Sequence, residues 1–356
     1  MNLNSTLLRV LLFAGALLIA ESANGQDQTI LPLQVNPGQD SVPIVPGSLS
    51  FRTLRLAGSK SAASEIRPAK LTTDAQGLAV SDLSIPAVPS PGFYPDDVSN
   101  PGDGPVIVST KFHPIYVNRQ PSHWGNVGEF LTDLGASSFI HVLDQYIGSS
   151  ASNRYKLGAS FSAVYTIPEN HTLGMDDILA LVHAGAAVNG NGYGHLYHIF
   201  LPKGVDMCMT PRTPTSPPEC YSPDNPSTFY FCGFHGSVTF SDAVGHVIFS
   251  VEPYQDVDGC SMPPHGTANS QLIDSTNNVL SHETSEAISD PDLDAWWVQA
   301  YTFANGNEIG DLCERFQVLA SGAAYWDYGN VELNGHMFTI QPEYSNALHG
   351  CTYSPN

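Results

Sequence analysis

Apolar residues recur at three- and four-residue intervals in three stretches of the chain. Val127, Phe130, Leu131 and Leu134 predict a helix between Trp124 and Leu134, and Ile140, Leu143 and Ile147 predict another between Ser138 and Ile147. A third runs from Met175 to Ala187, where Asp176 and Asp177 suit the positive end of the helix dipole. Strand patterns fall between and after these: Pro105–Ser109, Gly158–Tyr165, Tyr197–Pro202, Phe229–Cys232 and Val244–Val251, with an alternating hairpin from Val331 to Ile340. Helices and strands mix without strict alternation. That pattern predicts an α+β fold with a mixed sheet.

A fourth helix, from about Ser275 to Ser289, differs in kind because it is mostly polar. Pro291 ends it, since the residue before a proline avoids helical geometry. Its string Ser281-His282-Glu283-Thr284-Ser285-Glu286 puts His282 and Glu286 one turn apart on one face. An imidazole and a carboxylate so placed can share a metal ion. Glu283 can then reach a water on that ion and act as its base. This is the His-Glu-x-x-His metallopeptidase helix with glutamate in place of the second histidine, so the fold is expected to be zincin-like in this region.

The third ligand must come from elsewhere. Glu308 is the first candidate, because it opens a compact acidic group, and Asp311, one turn on, is a ligand or its support. Asp292, six residues past Glu286, is the alternative, although Ser289 stands where that arrangement uses glycine. One imidazole and two carboxylates bring a divalent ion formally to zero. Such a site activates water less than three histidines would, and it suits Mn²⁺ or Ca²⁺ as well as the expected Zn²⁺. The competing expectation for so polar a helix is a solvated end without an ion. His235, in Cys232-Gly233-Phe234-His235-Gly236, lies between expected strands where it could face the site, although a lone histidine there is more often a packed, hydrogen-bonded one; His195 and His198 receive no role, and Trp296 and Trp297 read as a lid over the helix end.

Composition sets the context. Residues 1–25 carry one early charge, Arg9, an apolar run from Val10 to Ala20 and small residues at Ser22, Ala23 and Gly25, the pattern of a cleaved export signal. No later stretch is apolar enough to span a bilayer. Residues 26–104 are rich in Pro, Ser and Gly and predict a largely irregular extension or propeptide, with one globular domain over 105–356. All six cysteines lie in that domain, and an even count after an export signal suggests disulfides, with Cys208–Cys220, Cys232–Cys260 and Cys313–Cys351 favoured among fifteen pairings. The formal charge is −21, and from Gly204 onward 19 acidic residues face two basic ones, Arg212 and Arg315. Such a field repels nucleic acid and anionic lipid and attracts cations.

The order of segments resembles the phosphate-induced, exordium-like secreted proteins and their microbial relatives. The matching pieces are Phe130-Leu131-Thr132-Asp133-Leu134 with Tyr146, Tyr197 to Pro202, Cys232 to Gly236, Ser281-His282-Glu283 through Asp290-Pro291, Glu308-Ile309-Gly310-Asp311-Leu312-Cys313, and Tyr344-Ser345-Asn346 before Cys351. They cover roughly residues 105 to 356, and the Pro/Thr/Ser-rich insertion from Pro211 to Pro226 departs from the pattern. The resemblance implies a secreted or cell-wall-associated protein with a metallopeptidase-like helix, in a family whose plant members are growth-related extracellular proteins. The combined expectation is a secreted, monomeric, metal-dependent hydrolase acting on peptide or another extracellular polymer. A non-catalytic extracellular binding or signalling protein, with a structural ion or none, is the alternative.

Overall fold

Eight strands form one mixed sheet in the computed structural model, which describes residues 30–35, 42–55, 72–73, 79–80, 97–209, 218–262, 269–298, 307–313, 316–318, 324–326 and 329–355. The strands are β1 (Ile30–Gln34), β2 (Ser50–Arg55), β3 (Thr110–Val117), β4 (Tyr155–Leu157), β5 (Ser160–Val164), β6 (His195–Phe200), β7 (Phe231–Thr239) and β8 (His246–Glu252). Their order is β1-β5-β3-β6-β8-β7-β2, with β4 beside the start of β3. Pairing is parallel from β1 to β8 and antiparallel for β8-β7 and β7-β2. Three helices pack on it: α1 (Val127–Ala136), α2 (Met175–Asn189) and α3 (Gln271–Ser289).

The two sheet faces bury separate apolar layers. Ile115, Val117, Tyr197, Ile199, Phe249 and Val251 pack with Ile178, Leu181 and Val182 of α2. Tyr116, Leu196, Phe200 and Ile248 point the other way, with Phe130 and Leu134 of α1, Leu280 and Ile288 of α3, and Phe338 and Ile340. Alternate side chains along a strand take opposite faces, so each strand serves both layers.

Three features of the sheet differ from the expectations. Pro105–Ser109 is not a strand; the strand is Thr110–Val117. Lys111, His113 and Pro114 interrupt its apolar pattern. Pro114 is tolerated in mid-sheet because its backbone shares the side on which Phe112 accepts from Gly158 N–H, and the break between β4 and β5 lies there. Strand β7 runs on from Cys232 to Thr239, through the small and polar residues Gly233, His235, Gly236 and Ser237. The expected irregular extension also supplies β1 and β2, the two opposite edges of the sheet. Short edge strands need few apolar residues and accept Pro32, so their pattern is weak. The expected export signal, residues 1–25, lies outside the described residues.

The tail forms two hairpins, β9 (Gly329–Leu333) with β10 (His336–Ile340) and β11 (Glu343–Ser345) with β12 (Gly350–Thr352). Asn334 and Gly335 turn the first with φ of 51° and 94°, values that favour these two residue types. Disulfides join Cys208 to Cys220, Cys232 to Cys260 and Cys313 to Cys351. The last ties β12 to the turn that follows Glu308, across a separation of 38 residues. Chain-entropy arguments give such a cross-link about 4 kcal/mol. The double variant Cys313→Ser/Cys351→Ser should lower the urea-unfolding free energy by up to that amount. An unchanged midpoint would show that the cross-link constrains nothing.

Candidate metal centre

Helix α3 is capped by the Ser270 hydroxyl, which accepts from Ile273 N–H at 3.3 Å, and ends where Asp290 N–H reaches Glu286 O at 2.7 Å. The expectation of a solvated polar end is wrong. Every residue from Asp274 to Ser289 is buried, including His282, Glu283 and Glu286. The helix reaches the sheet because Gly233 has no side chain: a Cβ there would lie 2.7 Å from Val279 Cγ1 and 3.0 Å from Glu283 Oε1.

The sheet presents a polar row to this helix. Arg52, His235, Ser250 and His198 are register partners across β2, β7, β8 and β6, so they share one face. His235 reaches furthest into the site. Its Nδ1 lies 3.3 Å from Glu283 Oε2 and 3.6 Å from Glu286 Oε2, and its Nε2 lies 3.5 Å from Glu308 Oε1. His198 Nδ1 meets Ser250 Oγ at 2.8 Å, and Ser250 donates to Glu252 at 2.8 Å, a buried relay beside the cluster.

The third wall is the turn 307–313. Glu308 N–H donates to Asp311 Oδ2, and Asp311 N–H donates to Glu286 Oε1, both at 3.0 Å. Gly310 permits this contact, because a Cβ there would lie 2.6 Å from His282 Nδ1 and 2.9 Å from Glu286 Oε1. His282 Nε2 sits 3.2 Å from Glu286 Oε2 and 3.9 Å from Asp311 Oδ1. Ligands about 2.0–2.1 Å from a tetrahedral ion are about 3.4 Å apart, so these separations bracket what a small divalent ion needs.

Two overlapping groups therefore have ligand atoms within 4.8 Å of one another: His282, Glu286 and Asp311, and His235, Glu283 and Glu286. Either group can hold a metal ion. His282 Nδ1 and Nε2, Glu283 Oε1, Asp311 Oδ1 and both Glu308 oxygens are buried without a hydrogen bond, the condition of donors shaped for a ligand. Glu308 falls outside both groups; its carboxylate faces the Arg52 guanidinium at 3.2 Å. Asp292 is also elsewhere, engaged by Tyr193, Ser237 and His246. Trp296 donates to Tyr146 O, and Trp297 lies under Arg52. His235 faces the site, the less favoured of its two sequence readings, because one histidine in a Gly-rich strand carries no spacing signal; the small residues on either side of it are the available hint.

Burial and crowding set the protonation. Burial, then the charges of Glu286 and Glu252, push Glu283 well above the usual carboxylate range. Burial likewise raises Glu308, against the pull of Arg52, and lifts Asp311 to about 7. Burial works against a charged His282, but Glu286, Asp311 and Glu343 outweigh it and hold the imidazole at about 9. Burial leaves His235 near 4. In the first triad His282 and Asp311 thus carry protons that a cation must displace, while the charged His282 holds Glu286 below the usual carboxylate range against the effect of burial. Metal affinity should rise with pH through the range 7 to 9, and binding should release protons, as read by calorimetry in buffers of different ionisation enthalpy. Buffer-independent heats would contradict this. Gly310→Ala should weaken metal binding at least about tenfold through His282, a loss of the size seen when a ligand's orientation is disturbed.

Comparison with protein-family models, curated proteins and solved structures returns no match, so the centre is interpreted from its own geometry.

Proposed function

We propose that this chain is a secreted metal-dependent hydrolase of peptide or related amide bonds. His282, Glu286 and Asp311 hold one divalent cation, zinc in the first instance, and Glu283 is the base. The observation that carries this reading is the position of Glu283. It follows His282 in the helix, one of its oxygens is held by His235 at 3.3 Å, and the other is buried and unpartnered.

A divalent cation would supply a Lewis acid for the substrate carbonyl and lower the pKa of the attacking water. Glu283 takes one proton from that water as the C–O bond forms. It delivers the proton to the nitrogen as the C–N bond breaks, so water and amide become acid and amine. His235 is neutral at ordinary pH and can donate from Nδ1, which keeps the Glu283 carboxylate in line. Arg52, which pairs with Glu308, keeps 24 % of its side chain accessible at the margin of the cluster. The three disulfides suit an oxidising extracellular setting, and among the described residues no helix is long and apolar enough to cross a membrane. The acidic C-terminal half disfavours nucleic acid as a partner, and a monomer acting on peptide or another extracellular polymer fits the exordium-like resemblance.

Complete burial of His282, Glu283, Glu286 and Asp311 favours a second reading, a non-catalytic extracellular protein whose ion is structural. One variant separates the two. Glu283→Gln should lower cleavage of a peptide library at least about 100-fold, the lower end of what a positioned base contributes, with the ion on His282, Glu286 and Asp311 retained. Metal retained by an unaltered chain that cleaves nothing would leave the structural reading.

A further inference from the structure

We propose that His235, Glu283 and Glu286 form a second divalent-cation position, and that filling it stops hydrolysis by capturing the base. The inhibitory consequence rests on the hydrolase reading; the cation position does not. Its three donors come from two elements, strand β7 and helix α3, and converge within 4.8 Å in a fully buried space. Glu283 Oε1 is buried there without a partner.

Glu286 links the two positions. Its Oε2 lies 3.2 Å from His282 Nε2 and 3.6 Å from His235 Nδ1, so one carboxylate oxygen faces both imidazoles. A carboxylate shared in this way is how paired ions about 3.5–4 Å apart are held in two-metal sites. Charge favours the second ion. A first ion on His282, Glu286 and Asp311 is offset by two carboxylates, which leaves Glu283, Glu308, Asp290 and Glu343 buried nearby. Among the described residues, Arg52 is the only Lys or Arg that forms an ion pair with this cluster. One imidazole and two carboxylates suit Zn²⁺ or Mn²⁺. The second ion must bind more weakly, because it shares Glu286 with a like charge and has to separate His235 from Glu283. It therefore fills only when metal is in excess. Once filled, Glu283 is a ligand and no longer accepts a proton.

The test is a metal titration of the purified full chain after chelation, with bound Zn²⁺ measured by equilibrium dialysis and elemental analysis, and hydrolysis followed in parallel. Two equivalents are expected, the second at least about tenfold weaker than the first by ion–ion repulsion across a shared ligand. Activity should rise with the first and fall with the second. His235→Ala and the more conservative His235→Gln should each bind one equivalent, and whatever activity remains should no longer fall in excess metal. Circular dichroism confirms that the variants fold. Saturation at one equivalent in the unaltered chain, or two equivalents persisting in both folded variants, would overturn the proposal. Two equivalents in the unaltered chain with no hydrolysis at any occupancy would support the second position and sink the hydrolase reading instead.

Discussion

Buried negative charge governs this structure. Glu252, Glu283, Glu286, Asp290, Glu308, Asp311 and Glu343 are all buried around helix α3. An unpaired buried carboxylate costs several kcal/mol, and neighbouring ones repel each other as well. The chain has three ways to meet that cost: protonation, pairing with Arg52 or the charged His282, or binding a cation. The first is visible in the raised Glu283, Glu308 and Glu343, and the second in the Arg52–Glu308 and His282–Glu286 contacts. Glu283 touches neither Arg52 nor a charged imidazole in an ion pair, and a cation beside it would favour its anionic form, the state in which it can act as a base.

The surrounding fold is arranged to hold that charge in place. Strand β7 places His235 under the helix, and Gly233 beside it lets the helix descend. The turn 307–313 closes from the opposite side, with Gly310 making room and the Cys313–Cys351 bond fixing its end to β12. Gln341 donates to Gly310 O and thus braces the same turn from the tail. Two long-range connections therefore converge on one six-residue motif, and the site's geometry depends on them more than on α3 alone.

Much of this was legible in the chain. The spacing of His282 and Glu286 marks the helix and two side chains that converge on one candidate metal position, and the periodic apolar residues locate α1 and α2 to within a few positions. What was not legible lay where buried polar residues replace the apolar pattern. Strand β7 runs beyond its apolar pattern because its inward face is Gly233, His235 and Ser237, small or polar residues that face helix α3 or Asp292 and not an apolar core. Burial of α3 was hidden by its polarity, since the usual inference from polarity to solvent fails when a site is enclosed. That Asp311 and not Glu308 lies close to His282 and Glu286 follows from the one-turn helix at Asp311–Cys313 and from Arg52, a residue far away in sequence that faces Glu308.

The most direct measurement is an anomalous-difference map from crystals of the purified protein, collected above and below the zinc absorption edge. The account predicts a peak about 2.0–2.2 Å from His282 Nε2 and from carboxylate oxygens of Glu286 and Asp311. A featureless map, with His282 bonded directly to Glu286 and the neighbouring carboxylates protonated, would contradict it.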